Sequence, residues 1–258
     1  MTPRLFRHFN MLWVPELSHQ SMKTIFKAIL HGYLSHKSDG VSMYSESIIK
    51  TAVEVYNKTK DEFLPTPTKS HYTFNLRDLS KVVQGMTMCP VENIGTEKDY
   101  LIMLFMHETQ RVFRDRLIDD EDKNRFNDRF NEILSNQNLL LEGESGEKKE
   151  DILFGFMNED HPGKYAKLKE ESELIKFLNG RLAMYNSDNT EMNLVFFLDC
   201  IQHLTRISRI LKQPRGNALL VGVGGSGRKS MAKFAAFVNS DMQTYTIEIK
   251  KNYKISDF

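Results

Sequence analysis

The sequence predicts an α/β protein that is mostly helical over this stretch, with a helical bundle followed by the start of a parallel sheet. Three observations support this prediction. Apolar residues recur at helical spacing through most of the chain before residue 142. A strand pattern, a glycine-rich turn, a helix and another strand pattern follow one another between residues 217 and 249. Between the two parts, residues 142–151 are charged and contain no apolar side chain.

The composition excludes several classes of protein. Hydrophobic residues make up 40% of 258, which is enough to fill a core. Lys plus Arg number 35 against 34 Asp plus Glu, without a long block of one sign, so no nucleic-acid partner is predicted. Cys89 and Cys200 lie far apart, which argues against a disulfide scaffold or a cysteine zinc site and fits a reducing compartment. No apolar run approaches the roughly 20 residues of a membrane helix, so we expect no membrane partner and a cytoplasmic location.

The first elements are a short strand and a helix. Met11 to Val14 is an apolar run stopped by Pro15, and Ser18 is a suitable N-cap for a helix that runs to Leu34. The strand has no neighbour nearby in the sequence, and the chain ends soon after the strand pattern Thr244–Ile249. Because a parallel sheet needs more strands than these, we expect the sequence to be a piece of a longer protein.

Four further amphipathic segments predict a small helical bundle. They are Ser45–Phe63, a helix that Asn75 caps and Pro90 closes, Lys98–Leu117, and a helix that begins at Asp119 or Asp120. Beyond the charged linker, the predicted elements are a helix over Lys167–Leu182, a long helix over Met192–Leu211, a strand over Asn217–Val223, a helix over Lys229–Val238 and the strand Thr244–Ile249. The last three form a β-loop-α-β unit.

The turn inside that unit resembles the phosphate-binding P-loop, G-x-x-x-x-G-K-[ST], in which backbone N–H groups meet phosphate oxygens at a helix N-terminus. Gly222 and Gly227 have the required spacing, but Arg228 replaces the lysine and Lys229 replaces the Mg²⁺-binding hydroxyl. A register that uses Lys229 and Ser230 instead puts Val223 and Arg228 at the glycine positions, so neither alignment is clean. The candidate nucleotide-binding residues are Gly222, Gly224, Gly225, Ser226, Gly227, Arg228, Lys229 and Ser230.

These departures separate binding from hydrolysis. The glycines preserve the backbone cradle, which predicts ATP or ADP as the cofactor. Lys229 puts a cation where Mg²⁺ needs an oxygen ligand, so Mg²⁺ at this site is doubtful and no metal site is assigned. The alternative is a glycine-rich turn without any ligand. Two other metal-like patterns fail, because Arg111 breaks the H-E-x-x-H pattern at His107 and Arg125 replaces the glycine of an EF-hand loop.

Several motifs resemble dynein heavy chains of the axonemal type, the ring-forming AAA+ microtubule motors. Residues 192–199, MNLVFFLD, and 213–227, QPRGNALLVGVGGSG, look like the opening of the fourth AAA+ module, where arginine at the usual lysine position is a familiar variation. Residues 2–9, 71–79 and 107–117 are similar to the end of the third module's large subdomain and to its small helical subdomain. The resemblance implies a large-subdomain end at 1–36, a small subdomain at 37–141, a linker at 142–151 and the next large subdomain at 152–258.

The resemblance also implies roles for three arginines. Arg4 and Arg7 match an arginine finger that reaches the nucleotide of a neighbouring module, with a salt bridge or a solvated strand end as the alternative. Arg77 matches a sensor-two residue that contacts its own module's nucleotide, with an ordinary helix ion pair as the alternative.

The function that the resemblance implies is part of an ATP-driven microtubule motor of cilia and flagella, with a regulatory nucleotide site and a junction between ring modules. The implied partners are adjacent AAA+ modules, microtubules and dynein light and intermediate chains. The implied location is the cytoplasm and cytoskeleton, in the ciliary axoneme. The intact motor would be an ATPase, whereas this stretch alone is not expected to be catalytic. Two alternatives stay open: a stand-alone P-loop NTPase, and a helical adaptor whose glycine turn is empty.

Overall fold

The computed structural model describes residues 3–35, 39–95, 97–141, 152–239, 242–247 and 254. The chain divides into two compact units. Unit 1 comprises Met1–Thr87 and Thr96–Leu141, and unit 2 comprises Met88–Gly95 and Glu142–Phe258. The predicted linker at 142–151 lies outside the described residues.

Unit 1 is built from helices. They are α1 (Pro3–Phe6), α2 (His19–Leu34), α3 (Asp39–Ser42), α4 (Tyr44–Glu62), α5 (Leu76–Met88, whose last residue belongs to unit 2), α7 (Lys98–Val112), a 3₁₀ turn (Arg114–Arg116) and α8 (Asp120–Asn136). The predicted caps are confirmed: Ser18 Oγ accepts the N–H of Ser21 at 3.1 Å, and Asn75 Oδ1 accepts the N–H of Arg77 at 2.9 Å. The predicted helix over Lys98–Leu117 is instead α7 followed by the 3₁₀ turn.

Aromatic rings fill the core of unit 1. Phe126 lies between Phe113 and Phe130, with ring centroids 6.5 and 5.8 Å away, and Phe105 meets Phe130 at 6.1 Å. These four rings are at most 2% exposed. Helices α2 and α4 also pack against each other. The apolar stripes that predicted the helices are therefore the surfaces that bury them.

Two buried carboxylates also join segments of unit 1. The Asp78 carboxylate accepts hydrogen bonds from Arg116 and Lys81. The Asp122 carboxylate accepts hydrogen bonds from Lys69 at 2.6 Å and from the Tyr72 hydroxyl at 2.9 Å. Burial alone would raise the pKa of Asp78, but the bonds from Arg116, the Asn75 amide and Lys81 bring it below its ordinary value of 3.8. The bond from Lys69 lowers the pKa of Asp122, against the opposing effect of burial.

We expect unit 1 to lose stability below about pH 4. Because both carboxylates have lower pKa values in the folded state, their contribution is complete above the unfolded pKa and is lost as the pH falls through the folded one. Urea unfolding measured between neutral pH and about pH 3 tests this. The variant Asp122→Asn removes one of the two carboxylates, so its free energy of unfolding should depend less on pH. Equal stability at both ends of that range would contradict the expectation.

Unit 2 contains α6 (Val91–Ile94), β1 (Phe154–Gly155), β2 (Ala166–Lys167), α9 (Glu171–Asp188), α10 (Leu198–Lys212) and α11 (Arg228–Val238). Strands β1 and β2 pair antiparallel, with Phe154 opposite Lys167 and Gly155 opposite Ala166. This hairpin was not predicted. The core lies among the three long helices and includes the fully buried side chains of Leu178, Ile201, Leu204 and Phe234.

The predicted long helix from Met192 begins later, at Leu198. Asn186, near the end of α9, explains the difference. Its side chain accepts the N–H of Met192 at 2.9 Å and donates to the Met192 carbonyl at 3.1 Å. These bonds hold Met192 in non-helical backbone, and the buried Phe196 ring then packs on Phe234 with centroids 5.4 Å apart.

The predicted strands at Met11–Val14 and Asn217–Val223 are not paired with any strand in the described part of the chain. Their apolar side chains are exposed, including Trp13 at 87% and Leu219 at 89%. The described part of Thr244–Ile249, residues 244–247, is likewise unpaired. The strand assignments were therefore wrong for these residues, because a ladder requires a neighbouring strand as well as a strand-like sequence.

No helix among the described residues combines the length and the apolar character that crossing a membrane requires.

Candidate nucleotide-binding site

The glycine-rich turn adopts a conformation that depends on its glycines. Gly225 and Gly227 have φ angles of 79° and 72°, in the left-handed region that side chains with a Cβ disfavour. The N–H of Ser226 donates to the Val223 carbonyl at 3.4 Å, which closes the turn. The Gly227 carbonyl then accepts the N–H of Met231 at 2.8 Å, which begins α11. The sequence prediction of a glycine loop leading into a helix is confirmed.

A cavity of about 720 Å³ adjoins the start of α11. Its lining residues are Ala218, Leu220, Gly225, Ser226, Gly227, Arg228, Lys229, Ser230 and Ala232. The first N–H groups of a helix have no acceptor within the helix, and the helix dipole adds partial positive charge there. With two cationic side chains in the lining, the cavity has the chemistry to bind a phosphate group.

Arg228 and Lys229 are placed differently. The Arg228 guanidinium folds back, and Nη2 donates to the Val223 carbonyl at 2.9 Å. Its Cδ would lie 3.4 Å from a Cβ at position 222, so Gly222 leaves room for this side chain. Lys229 is exposed and makes no hydrogen bond or ion pair with another described residue. One cation is thus held by the loop while the other faces solvent.

Among the described residues, the lining carries no carboxylate. Its side-chain oxygens are the hydroxyls of Ser226 and Ser230, beside the two cations Arg228 and Lys229. Within the described ranges, no group of three or more His, Cys, Asp or Glu side chains could hold a metal. The donor set therefore fits an anion such as a di- or triphosphate.

The core of unit 2 fixes the helix that carries the loop. Phe234 on α11 is fully buried and lies against Phe196 and Tyr185, with ring centroids 5.4 and 6.4 Å away. At the end of α11, Asn239 bonds to Ser208 twice, with the Ser208 hydroxyl 2.6 Å and its carbonyl 3.1 Å away. Together these contacts hold α11 against α9, the segment at Phe196 and α10.

Arg4 and Arg7 lie at the start of unit 1. The sequence put them before a strand, but Arg4 is in the short helix α1 and Arg7 is in the following turn. Both are exposed, and Arg7 Nε donates to His8 Nε2 at 2.8 Å. They belong to a different unit from residues 222–230.

Arg77 is the second residue of α5 and is exposed. Its side chain makes no hydrogen bond or ion pair within the part of the chain that the structure describes. A cavity of about 430 Å³ lies at this end of α5, lined by Leu76, the adjacent residue, and by Tyr56, Lys60 and His19 among others. Asp78 pairs with Arg116 and Lys81 instead of with Arg77.

Arg116 is a residue that the sequence analysis missed. It lies 38 positions from Asp78 and makes two hydrogen bonds to that carboxylate. The only signals in the sequence were an aspartate in the first turn of one predicted helix and an arginine in the last turn of another, and neither identifies its partner.

Two family models match different parts of the chain. A model of the dynein heavy chain ATPase lid domain matches residues 22–123, and a model of the P-loop-containing dynein motor region D4 matches residues 192–258. Together they match more than half of the chain.

Curated relatives match along the whole chain. Dynein axonemal heavy chain 6 of Homo sapiens is 42% identical over 264 residues. Dynein axonemal heavy chain 1 of Mus musculus is 40% identical over 276 residues. Each alignment covers 100% of this chain, which spans 6% of the relative's length. These matches, together with the glycine loop at the start of α11, establish that the chain belongs to the dynein heavy chain family.

Proposed function

We propose that this chain is part of an ATP-driven microtubule motor of cilia and flagella, and that residues 222–230 form its regulatory nucleotide site. This site binds ATP or ADP and turns ATP over slowly or not at all. The observation that carries the proposal is the loop through Gly225 and Gly227, which opens into the first turn of α11 beside Arg228.

Binding follows from the backbone and from one side chain. The N–H groups at the start of α11 donate to phosphate oxygens, and the helix dipole favours their negative charge. The Arg228 guanidinium, now on the Val223 carbonyl, is close enough to the loop to exchange that neutral acceptor for a charged phosphate oxygen. Slow turnover follows because Lys229 supplies no oxygen ligand where a P-loop places its hydroxyl; a Mg²⁺ ion held there would supply the positive charge that phosphoryl transfer uses.

The remaining arginines extend the proposal to a junction between ring modules. Arg77 contacts the nucleotide of its own module, and its exposed side chain, which makes no hydrogen bond or ion pair with another described residue, supports this role. Arg4 or Arg7 acts as a finger on a neighbouring module. In this scheme 1–36 end a large subdomain, 37–141 form the small subdomain, 142–151 are the linker and 152–258 begin the next large subdomain.

The proposed partners are those of the intact motor: adjacent AAA+ modules, microtubules, and dynein light and intermediate chains. The proposed location is the cytoplasm and cytoskeleton, in the axoneme of the cilium. The axonemal names of the relatives and their match to the whole chain support both.

The proposal predicts that Gly227→Val weakens ADP binding by at least about tenfold, because a β-branched residue is strained at a φ of 72° and the loop must move to relieve it. The measurement is ADP protection of the amides of 224–230 from hydrogen exchange, in a heavy-chain motor region containing this sequence.

Gly180→Ala is the matched control. Gly180 lies in α9 of the same unit, and a Cβ there would meet no atom within 4 Å. This variant is expected to bind ADP like the parent. If Gly227→Val binds ADP like the parent, the left-handed backbone at Gly227 is not what holds the nucleotide. If the parent itself shows no protection, the loop is an empty turn and the adaptor alternative is correct.

A further inference from the structure

We propose that Arg116 is a positioning residue for Arg77: it fixes the first turn of α5 so that the Arg77 side chain is directed at nucleotide. The inference rests on the proposed role of Arg77. It adds a residue from a distant part of the sequence, whose side chain acts through the buried carboxylate of Asp78 and need not touch the nucleotide itself.

The pair between Arg116 and Asp78 is bidentate and partly buried. Nη2 of Arg116 lies 2.7 Å from Oδ1 of Asp78, and Nη1 lies 3.0 Å from Oδ2. The Asp78 side chain is 2% exposed and that of Arg116 is 24% exposed. Nη1 also donates to the Thr73 carbonyl at 3.0 Å, and the guanidinium lies over the Phe74 ring, 5.0 Å from its centroid. A planar guanidinium can make all of these contacts at once.

The connection from Asp78 to Arg77 runs through the helix cap. Asp78 Oδ2 accepts the N–H of Asn75 at 3.1 Å, and Asn75 Oδ1 accepts the N–H of Arg77 at 2.9 Å. These two bonds form a cap related to the capping box, with the Asn75 side chain on the second helical amide in place of the third, and they set the direction in which the helix begins. Arg116 holds the carboxylate of this cap, so it also holds the backbone of Arg77.

The segment before α5 is attached to the same region of unit 1. His71 Nε2 lies 3.1 Å from the Arg116 carbonyl oxygen, and the Tyr72 hydroxyl accepts the N–H of Ile118 at 2.9 Å. Residues 116–118 therefore contact the chain both before the cap residue Asn75, at His71 and Tyr72, and after it, at Asp78. An exposed arginine on such a fixed turn loses less conformational freedom when it binds a phosphate than one on a mobile turn.

The test compares Arg77→Ala, Arg116→Lys and the double variant in a heavy-chain motor region that contains this sequence. Arg116→Lys keeps a cation beside Asp78, so it is expected to fold, but an ammonium cannot make the bidentate pair. The readout is the ADP concentration at which the amides of residues 76–79 become half protected from hydrogen exchange.

We expect Arg77→Ala to raise this ADP concentration about tenfold and Arg116→Lys to raise it about threefold. The double variant should need the same ADP concentration as Arg77→Ala alone. Arg129→Ala is the matched control. Arg129 also pairs with carboxylates in unit 1, Glu132 at 3.1 Å and Glu62 at 3.7 Å, but it does not contact the α5 cap. We expect it to leave the ADP concentration unchanged.

The outcomes separate the two claims. If Arg77→Ala changes nothing, the proposed role of Arg77 is wrong and the inference falls with it. If Arg77→Ala acts but Arg116→Lys does not, or if the two effects add in the double variant, only the positioning role is wrong. An equal effect from Arg129→Ala would also overturn it, because general loosening of unit 1 would then explain the result.

Discussion

Replacing Arg228 with Lys and Lys229 with Thr together is expected to raise the rate of phosphate release from a heavy-chain motor region containing this sequence. We expect the rate of ATP hydrolysis at this loop to be at least about tenfold higher than in the parent. The substitutions restore a compact cation and a hydroxyl in the positions that a P-loop uses for the phosphates and for Mg²⁺. They leave the glycines that shape the turn, Gly225 and Gly227, unchanged.

The parent protein gives the baseline for this comparison, so an added rate belongs to the altered loop. Lys233→Thr is the matched control, because Lys233 lies on α11 but does not line the cavity. It should release phosphate at the parent's rate. A parent that already hydrolyses at the rate of the restored loop would show that Arg228 and Lys229 do not limit turnover.

Phe234→Ala is expected to destabilise unit 2 by about 3–5 kcal/mol. The ring is fully buried, packs against Phe196 and Tyr185, and belongs to the helix that begins at the glycine loop. Its removal leaves a cavity beside Phe196 and Tyr185, and nucleotide binding should weaken as α11 loses its fixed position.

Chemical unfolding followed by hydrogen exchange in α10 and α11 measures this loss in the unit concerned. Met184→Ala serves as the control, since Met184 is 57% exposed in the same unit. Its expected cost is within about 0.5 kcal/mol. Equal costs for the two variants would mean that Phe234 does not anchor α11.

The sequence was sufficient where the determinants are local. Ser18 and Asn75 were identifiable as caps because a cap acts on amides two or three positions away. The glycine-rich turn before α11 was identifiable for the same reason, since Gly225 and Gly227 supply its left-handed backbone themselves. Periodic apolar residues indicated the helices of both units because each stripe is buried on its own helix.

The sequence was insufficient where the determinants are tertiary. The bonds from Asn186 that keep Met192 out of α10 depend on how the chain turns after α9. The strand pattern at Asn217–Val223 contains no information on whether a pairing strand lies beside it. The Arg116–Asp78 pair joins positions 38 residues apart, and the return of Arg228 to the Val223 carbonyl depends on a side-chain conformation.

The central claim is that residues 222–230 bind nucleotide without rapid turnover. The most direct test is hydrogen exchange at the amides of 224–230 in a heavy-chain motor region containing this sequence, measured without nucleotide, with ADP and with ATP. We predict that both nucleotides slow exchange at these amides by about tenfold or more. We also predict that the protection given by ATP persists after the other nucleotide sites of the motor region have hydrolysed their ATP. Exchange that neither nucleotide changes, or ATP protection that converts at once to that of ADP, would contradict the claim.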